Sequence, residues 1–212
     1  MSKPANHIIK RSLKIACLLG VIVVGVVFVL RYVRQNYLDN SLMSAVELDE
    51  GPVAVQQWIS RGANPNTGNS DWCRQPIFIA VQSRSPETVR VLLNAGASVR
   101  PVSPARVGPI FAITWQVNSG RRVHTESESR AIIQELTAKG ESIEDRDALG
   151  YTPLLRAVWG GNVLETKTLL DLNANTDVVN YQNQTIWTWA DMLPGKAPQL
   201  RELIRESHSK HH

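Results

Sequence analysis

Cysteine is scarce: Cys17 and Cys73 are the only two among 212 residues. Two thiols do not make a disulfide framework. Cys17 falls inside an apolar run and Cys73 in a loop between periodic segments, so the two are not expected to pair within one chain. Catalytic signatures are missing too. The chain holds no His-Glu-x-x-His, no Gly-x-Ser-x-Gly and no glycine-rich phosphate loop with a lysine. Gly160-Gly161 reads as a turn between helices, and His7 and His124 stand alone. His208, His211 and His212 sit in a C-terminal tail that does not preorganise a metal site. The expectation is a protein that is not an enzyme and takes neither metal nor cofactor.

A basic surface is lacking as well, although the sequence pI is about 9.3. Six of the 23 Lys+Arg residues (Lys3, Lys10, Arg11, Lys14, Arg31, Arg34) and none of the 19 Asp+Glu residues precede residue 35. That leaves 17 basic against 19 acidic residues in the remainder, a net of −2. The positive charge belongs to the N-terminus, and electrostatic binding of nucleic acid by the body is excluded.

One long apolar run is present, from Ile15 to Leu30. As a helix it measures about 24 Å, and about 28 Å if Arg31 snorkels and Tyr32 and Val33 are counted. That approaches the ~30 Å of a hydrocarbon core. Tyr32 and Tyr37 suit the membrane interface. No small-residue cleavage site follows the run, since Arg31-Tyr32-Val33-Arg34 stands in its place. A retained single-pass anchor is therefore expected over 15–33. Four basic residues precede it and two follow it closely, which predicts a cytoplasmic N-terminus in 1–14. The rest of the chain would lie on the other face of an inner or plasma membrane, periplasmic in a bacterium. The run has no Gly-x-x-x-Gly, because Gly20 and Gly25 are five apart, so it gives little support to specific helix packing in the bilayer.

The body carries a 33-residue rhythm. Pro76 in Gln75-Pro76-Ile77-Phe78-Ile79-Ala80 lies 33 residues before Pro109 in Gly108-Pro109-Ile110-Phe111-Ala112. Thr152 in Gly150-Tyr151-Thr152-Pro153-Leu154-Leu155-Arg156-Ala157 lies 33 before Thr185 in Gln184-Thr185-Ile186-Trp187-Thr188-Trp189-Ala190. Pro109 and Pro153 are 44 apart, one period plus 11. A second motif recurs in register: Trp58-Ile59-Ser60-Arg61-Gly62-Ala63-Asn64, Val91-Leu92-Leu93-Asn94-Ala95-Gly96-Ala97 and Leu169-Leu170-Asp171-Leu172-Asn173-Ala174-Asn175, with a weaker copy at Leu136-Thr137-Ala138-Lys139-Gly140-Glu141. A fixed period of this length marks stacked helix–turn–helix units.

On these motifs the segment from about 41 to 206 resembles the ankyrin repeat family. The family's Thr-Pro-Leu-His histidine is replaced by Phe78, Phe111, Leu155 and Thr188, so apolar packing is expected where the family has a turn-bracing hydrogen bond. The resemblance implies an all-α solenoid of about five helix–turn–helix units over 34–206, each with a finger, an inner helix and an outer helix. Proline suits the first turn of the inner helices. Gly62, Gly96 and Gly140, with Asn173 in the last full unit, suit the left-handed residue that ends each outer helix. The first inner helix, about 39–48, should continue from the membrane span. A capping outer helix is expected at about 198–206, followed by a disordered tail at 207–212. Residues of about 117–129 break the period and read as a loop or a short helical extension.

Family ligands usually meet the fingers and the exposed side of the inner helices. That placement implies a partner-binding set of Asp71, Trp72, Arg74, Gln82, Trp115, Gln116, Arg146, Leu149, Tyr151, Trp159, Tyr181 and Gln184. Trp115 and Trp159 occupy the same position of successive units. Large aromatics near arginine are the composition of interface hot spots. Glu144, Asp145 and Asp147 read as a solvated finger tip or a partner contact, and Trp187 and Trp189 as core or cap. The expected function is a monomeric, membrane-tethered module that captures or inhibits one protein, in the manner of an immunity protein facing a toxic enzyme. The alternative is a scaffold or assembly factor of a membrane protein complex.

Overall fold

A computed structural model describes residues 3–68, 75–100, 107–114, 125–193 and 195–211. These residues form ten helices and no strand beyond one isolated antiparallel bridge between Val179 and Thr185. Helix α1 spans Lys3–Glu47, and α2 (Pro52–Ser60) folds back against it. Three more pairs follow: α3 (Pro76–Gln82) with α4 (Pro86–Asn94), α5 (Pro109–Ile113) with α6 (Glu126–Ala138), and α7 (Pro153–Trp159) with α8 (Val163–Asp171). The last pair is α9 (Ile186–Met192) with α10 (Ala197–His211). Odd-numbered helices touch in the order α1, α3, α5, α7, α9, and even-numbered ones in the order α2, α4, α6, α8, α10. The pairs therefore stack in chain order as two layers.

Local chemistry sets the helix ends. Proline opens α2, α3, α4, α5 and α7, where its missing N–H would be unpaired in any case. Thr152 and Thr185 cap α7 and α9 by accepting the N–H of Leu155 and Thr188. At the other end, Gly62, Gly96 and Gly140 follow α2, α4 and α6 at φ of 101°, 90° and 94°, and Asn173 follows α8 at 64°. These are left-handed conformations, which release the chain from the helix and satisfy its last carbonyls.

The core runs between the layers. Phe78, Phe111 and Leu155, at the third position of α3, α5 and α7, are fully buried. So are Leu42, Val55, Val81, Leu92, Ile132, Leu136, Leu169, Ile186, Leu200 and Ile204, which tie every pair to the next. Thr188 at the corresponding place in α9 instead completes a capping box with Thr185.

Helix α1 is continuous over 45 residues, about 67 Å. Its C-terminal part contributes Leu38, Leu42, Ala45 and Val46 to the core. Its apolar part is long and apolar enough to cross a membrane, and none of that stretch is buried by the rest of the protein.

One expectation changes: helix α10 runs to His211, so 207–211 continue the helix where a disordered tail was expected. Ser207 is buried, and His208 Nδ1 lies 3.0 Å from Thr176 Oγ1, so the helix rests on the preceding loop. The C-terminal end of the 117–129 segment takes the helical form of the two expected, because Thr125 and Glu128 form a capping box that starts α6 there. Helix α6 has 13 residues against nine in α2, α4 and α8, so the outer layer is lengthened by about a turn.

Candidate functional site

One 33-residue period separates Trp159, the last residue of α7, from Met192, the last residue of α9, and these two helices pack together. Trp159 is 47% exposed and Met192 63%. Nearby loops add Leu149 at 57% and Tyr181 at 69%. These loops are joined by a hydrogen bond from Tyr181 N–H to Leu149 O at 3.2 Å. Gly150 makes the approach possible: it has φ of 81°, and a Cβ there would come within 2.7 Å of the Tyr181 ring.

Trp159 also belongs to an aromatic triad. The Tyr151, Trp159 and Trp189 rings are 6.3 to 6.4 Å apart. The Arg156 guanidinium sits 4.4 Å from the Tyr151 ring centre and 5.4 Å from that of Trp159. Asp147 holds it there, with Arg156 Nε donating to Asp147 Oδ2 at 2.8 Å and Nη2 donating to the same oxygen. The other oxygen, Oδ1, accepts the N–H groups of Leu149 and Tyr151, both at 2.9 Å.

Asp147 is therefore buried as the brace of its loop rather than part of a solvated tip. The loop folds over it because one carboxylate can satisfy two backbone donors and an arginine together. Asp147→Ala should lower stability by about 2–3 kcal/mol, less than a fully buried pair would lose because Arg156 reaches water. Thermal unfolding measures that loss, and tryptophan emission should shift as Arg156 leaves the rings.

Glu144 also has a structural duty. It accepts the Asn175 N–H at 2.8 Å, and burial pushes its carboxyl upward against the pull of that bond. Among the described residues no group of three or more His, Cys, Asp or Glu could hold a metal ion.

The sequence-expected set thus divides. Leu149, Trp159 and Tyr181 are exposed; the first and last are joined by a backbone hydrogen bond, and Trp159 meets the ring of Tyr151. Tyr151 is 7% exposed, because Trp159, Trp189 and Arg156 pack against its ring. Arg146 is exposed but committed, donating to Gly150 O at 3.0 Å and Val179 O at 2.6 Å. Gln184 is half-buried and accepts from Asn180 Nδ2 at 2.7 Å. Gln82 ends α3, half-buried, in another part of the layer. Asp71, Trp72, Arg74, Trp115 and Gln116 lie outside the described residues.

Met192 was missed by sequence reasoning, although its spacing from Trp159 is one full period. Trp189 is half-buried against the core, and its role beneath Trp159 depends on the packing of α7 on α9. The chain matches no protein-family model and no curated protein.

Proposed function

We propose that the chain is a membrane-tethered protein-binding module of the ankyrin-repeat type, which captures or inhibits one specific protein. The observation that carries this reading is the exposure of Leu149, Trp159, Tyr181 and Met192, with Trp159 held in a braced aromatic triad. Contiguous apolar surface of this kind marks interaction sites, and rigid aromatics bury much area with few rotors. The Asp147–Arg156 brace supports recognition by a preformed surface with little backbone change.

The ankyrin assignment draws on the ordered stacking of helix pairs, the N1 prolines and the left-handed residues at 62, 96, 140 and 173. The exposed apolar stretch of α1 supports anchoring in a membrane. The basic residues before it favour a cytoplasmic N-terminus and a binding domain on the far side. In this reading an immunity-like role follows, with the module intercepting a harmful enzyme in that compartment.

The test is affinity capture by the full chain held in lipid nanodiscs, beside its Trp159→Ala variant. Wild type should retain one protein, and the variant should bind it at least about 30-fold more weakly, a loss of about 2 kcal/mol typical of a hot-spot residue. Unchanged thermal unfolding of the variant would show that the loss is not a folding defect. Equal binding by both forms would remove this face from the reading. Capture of membrane-complex subunits alone would replace interception with a scaffolding role.

A further inference from the structure

The unbroken helix between the apolar stretch and the stacked body determines what lies next to a membrane. Val33 ends the apolar stretch, and Gln35, Tyr37 and Asp39 follow it in α1 at heights of about 3, 6 and 9 Å. Helix α2 returns toward this level. Its last turn and the loop after it are fastened there by three contacts. Gln35 Nε2 donates to Gly62 O at 3.0 Å, the Asn64 N–H donates to Asp39 Oδ1 at 2.7 Å, and the Tyr37 and Trp58 rings meet edge to face at 6.0 Å. Arg61 lies over the Trp58 ring at 4.7 Å.

The headgroup region on each side of a bilayer is about 5–7 Å deep beyond the hydrocarbon core. Tyr37, Trp58 and Arg61 fall within it if Val33 marks the hydrocarbon edge. Arg31, Arg34 and Arg61 are exposed, and the carboxylate nearest them on α1, Asp39, is already bonded to Gln35 and Asn64. Helix α2 carries no charged side chain at all. Aromatic rings with polar edges and arginines on apolar stems are the side chains that partition into this layer.

We propose that Tyr37, Trp58 and Arg61 form a lipid-docking surface that seats the first helix pair in the headgroup layer, with Arg31, Arg34 and Arg61 contacting anionic phospholipid. The proposal rests on the reading of α1 as a membrane span. It makes the body a unit fixed at the bilayer surface, unlike a domain swinging on a tether.

The experiment uses the full chain with Cys17→Ser and Cys73→Ser, spin-labelled at Ser60→Cys and reconstituted into phosphatidylcholine vesicles with or without phosphatidylglycerol. A trace of nickel-chelating lipid serves as the headgroup relaxant. A second label at Leu48→Cys, about 22 Å along α1 from Val33, is the internal reference. Relaxation at position 60 should exceed that at 48 several-fold, rise with anionic lipid, and fall with Arg61→Glu or a flexible four-residue insertion between Val33 and Arg34. Equal relaxation at the two positions would overturn the inference, and so would a signal at 60 indifferent to both Arg61→Glu and anionic lipid. A chain that does not float with the vesicles would overturn the span reading itself, and the docking surface with it.

Discussion

Glu165→Ala should destabilise the protein by about 3–5 kcal/mol, the expected loss when one partner of a buried ion pair is removed. Glu165 and Arg84 are both buried and paired although 81 residues separate them. Arg84 also donates to Ser129 Oγ at 2.7 Å and to Ile113 O at 2.8 Å, and Ser129 Oγ lies 3.0 Å from Glu165 Oε1. One guanidinium thus joins the α3–α4 turn, the end of α5, the first turn of α6 and the first turn of α8. The location is informative. Helix α5 has five residues against seven in α3 and α7, and Arg84 takes the carbonyl at its early end.

Arg84 also occupies the left-handed region at φ of 54°, where a non-glycine residue costs of order 1 kcal/mol or more. Gly161 holds the corresponding turn between α7 and α8 at 64°. The guanidinium network is what the arginine supplies in return. Chemical unfolding in detergent, followed by circular dichroism, measures the loss. The double replacement Arg84→Met/Glu165→Leu should be milder than either single change, because it leaves no uncompensated buried charge. A loss below about 1 kcal/mol for Glu165→Ala would mean that water reaches the pair.

Glu141→Gln should flatten the dependence of stability on pH and stabilise the protein most above pH 8. Burial pushes the Glu141 carboxyl from 4.5 up to about 8, outweighing the hydrogen bond from the Ile110 N–H that pulls it down. Below about 4.5 the group is protonated in both folded and unfolded chains. Between about 4.5 and 8 only the unfolded chain ionises, so stability falls as pH rises and levels off above 8. Each unit of displacement is worth about 1.4 kcal/mol, so the whole window is worth on the order of 5 kcal/mol.

Glutamine retains the oxygen that accepts the Ile110 N–H at 2.8 Å and cannot ionise. Thermal unfolding at pH 5 and pH 8 separates the two proteins: the wild type should lose stability between these values, and the variant should lose less. Equal losses would place the pH response elsewhere.

The same residue shows where reading the chain linearly stops. At its position in the other units stand Ala63, Ala97 and Ala174, so Glu141 looks like a defect of the motif. At the N-cap of α5 stands Gly108, where α7 and α9 have capping threonines, which looks like a second defect. In space they are one device. A Cβ on Gly108 would lie 2.1 Å from Glu141 Oε1, so the missing side chain makes room for a carboxylate that caps the helix from the neighbouring loop.

The helices themselves were legible because their signals are local. Proline at N1, glycine or asparagine in the left-handed conformation and a strict spacing of apolar residues act over a few residues of backbone, whatever the rest of the chain does. Trp159, Leu149 and Tyr181, taken from the resemblance as finger and inner-helix positions, are exposed.

Tyr151 is not, since its exposure depends on whether Arg156 and Trp189 fold over it. The Asp147 brace, the Glu141 cap and the Arg84–Ser129–Glu165 network also escaped, as did the seating of α2 beside the end of the apolar stretch. By itself, the sequence determined the all-helical class, the N1 prolines and left-handed residues that bound several helices, and one N-terminal apolar helix, through interactions that close within a turn or two. Tertiary structure alone decided which charges are buried, which rings face water and which turns are braced. Burial and pairing depend on how side chains meet in space, from nine residues apart for Asp147 and Arg156 to 81 for Arg84 and Glu165, and no apolar spacing records them.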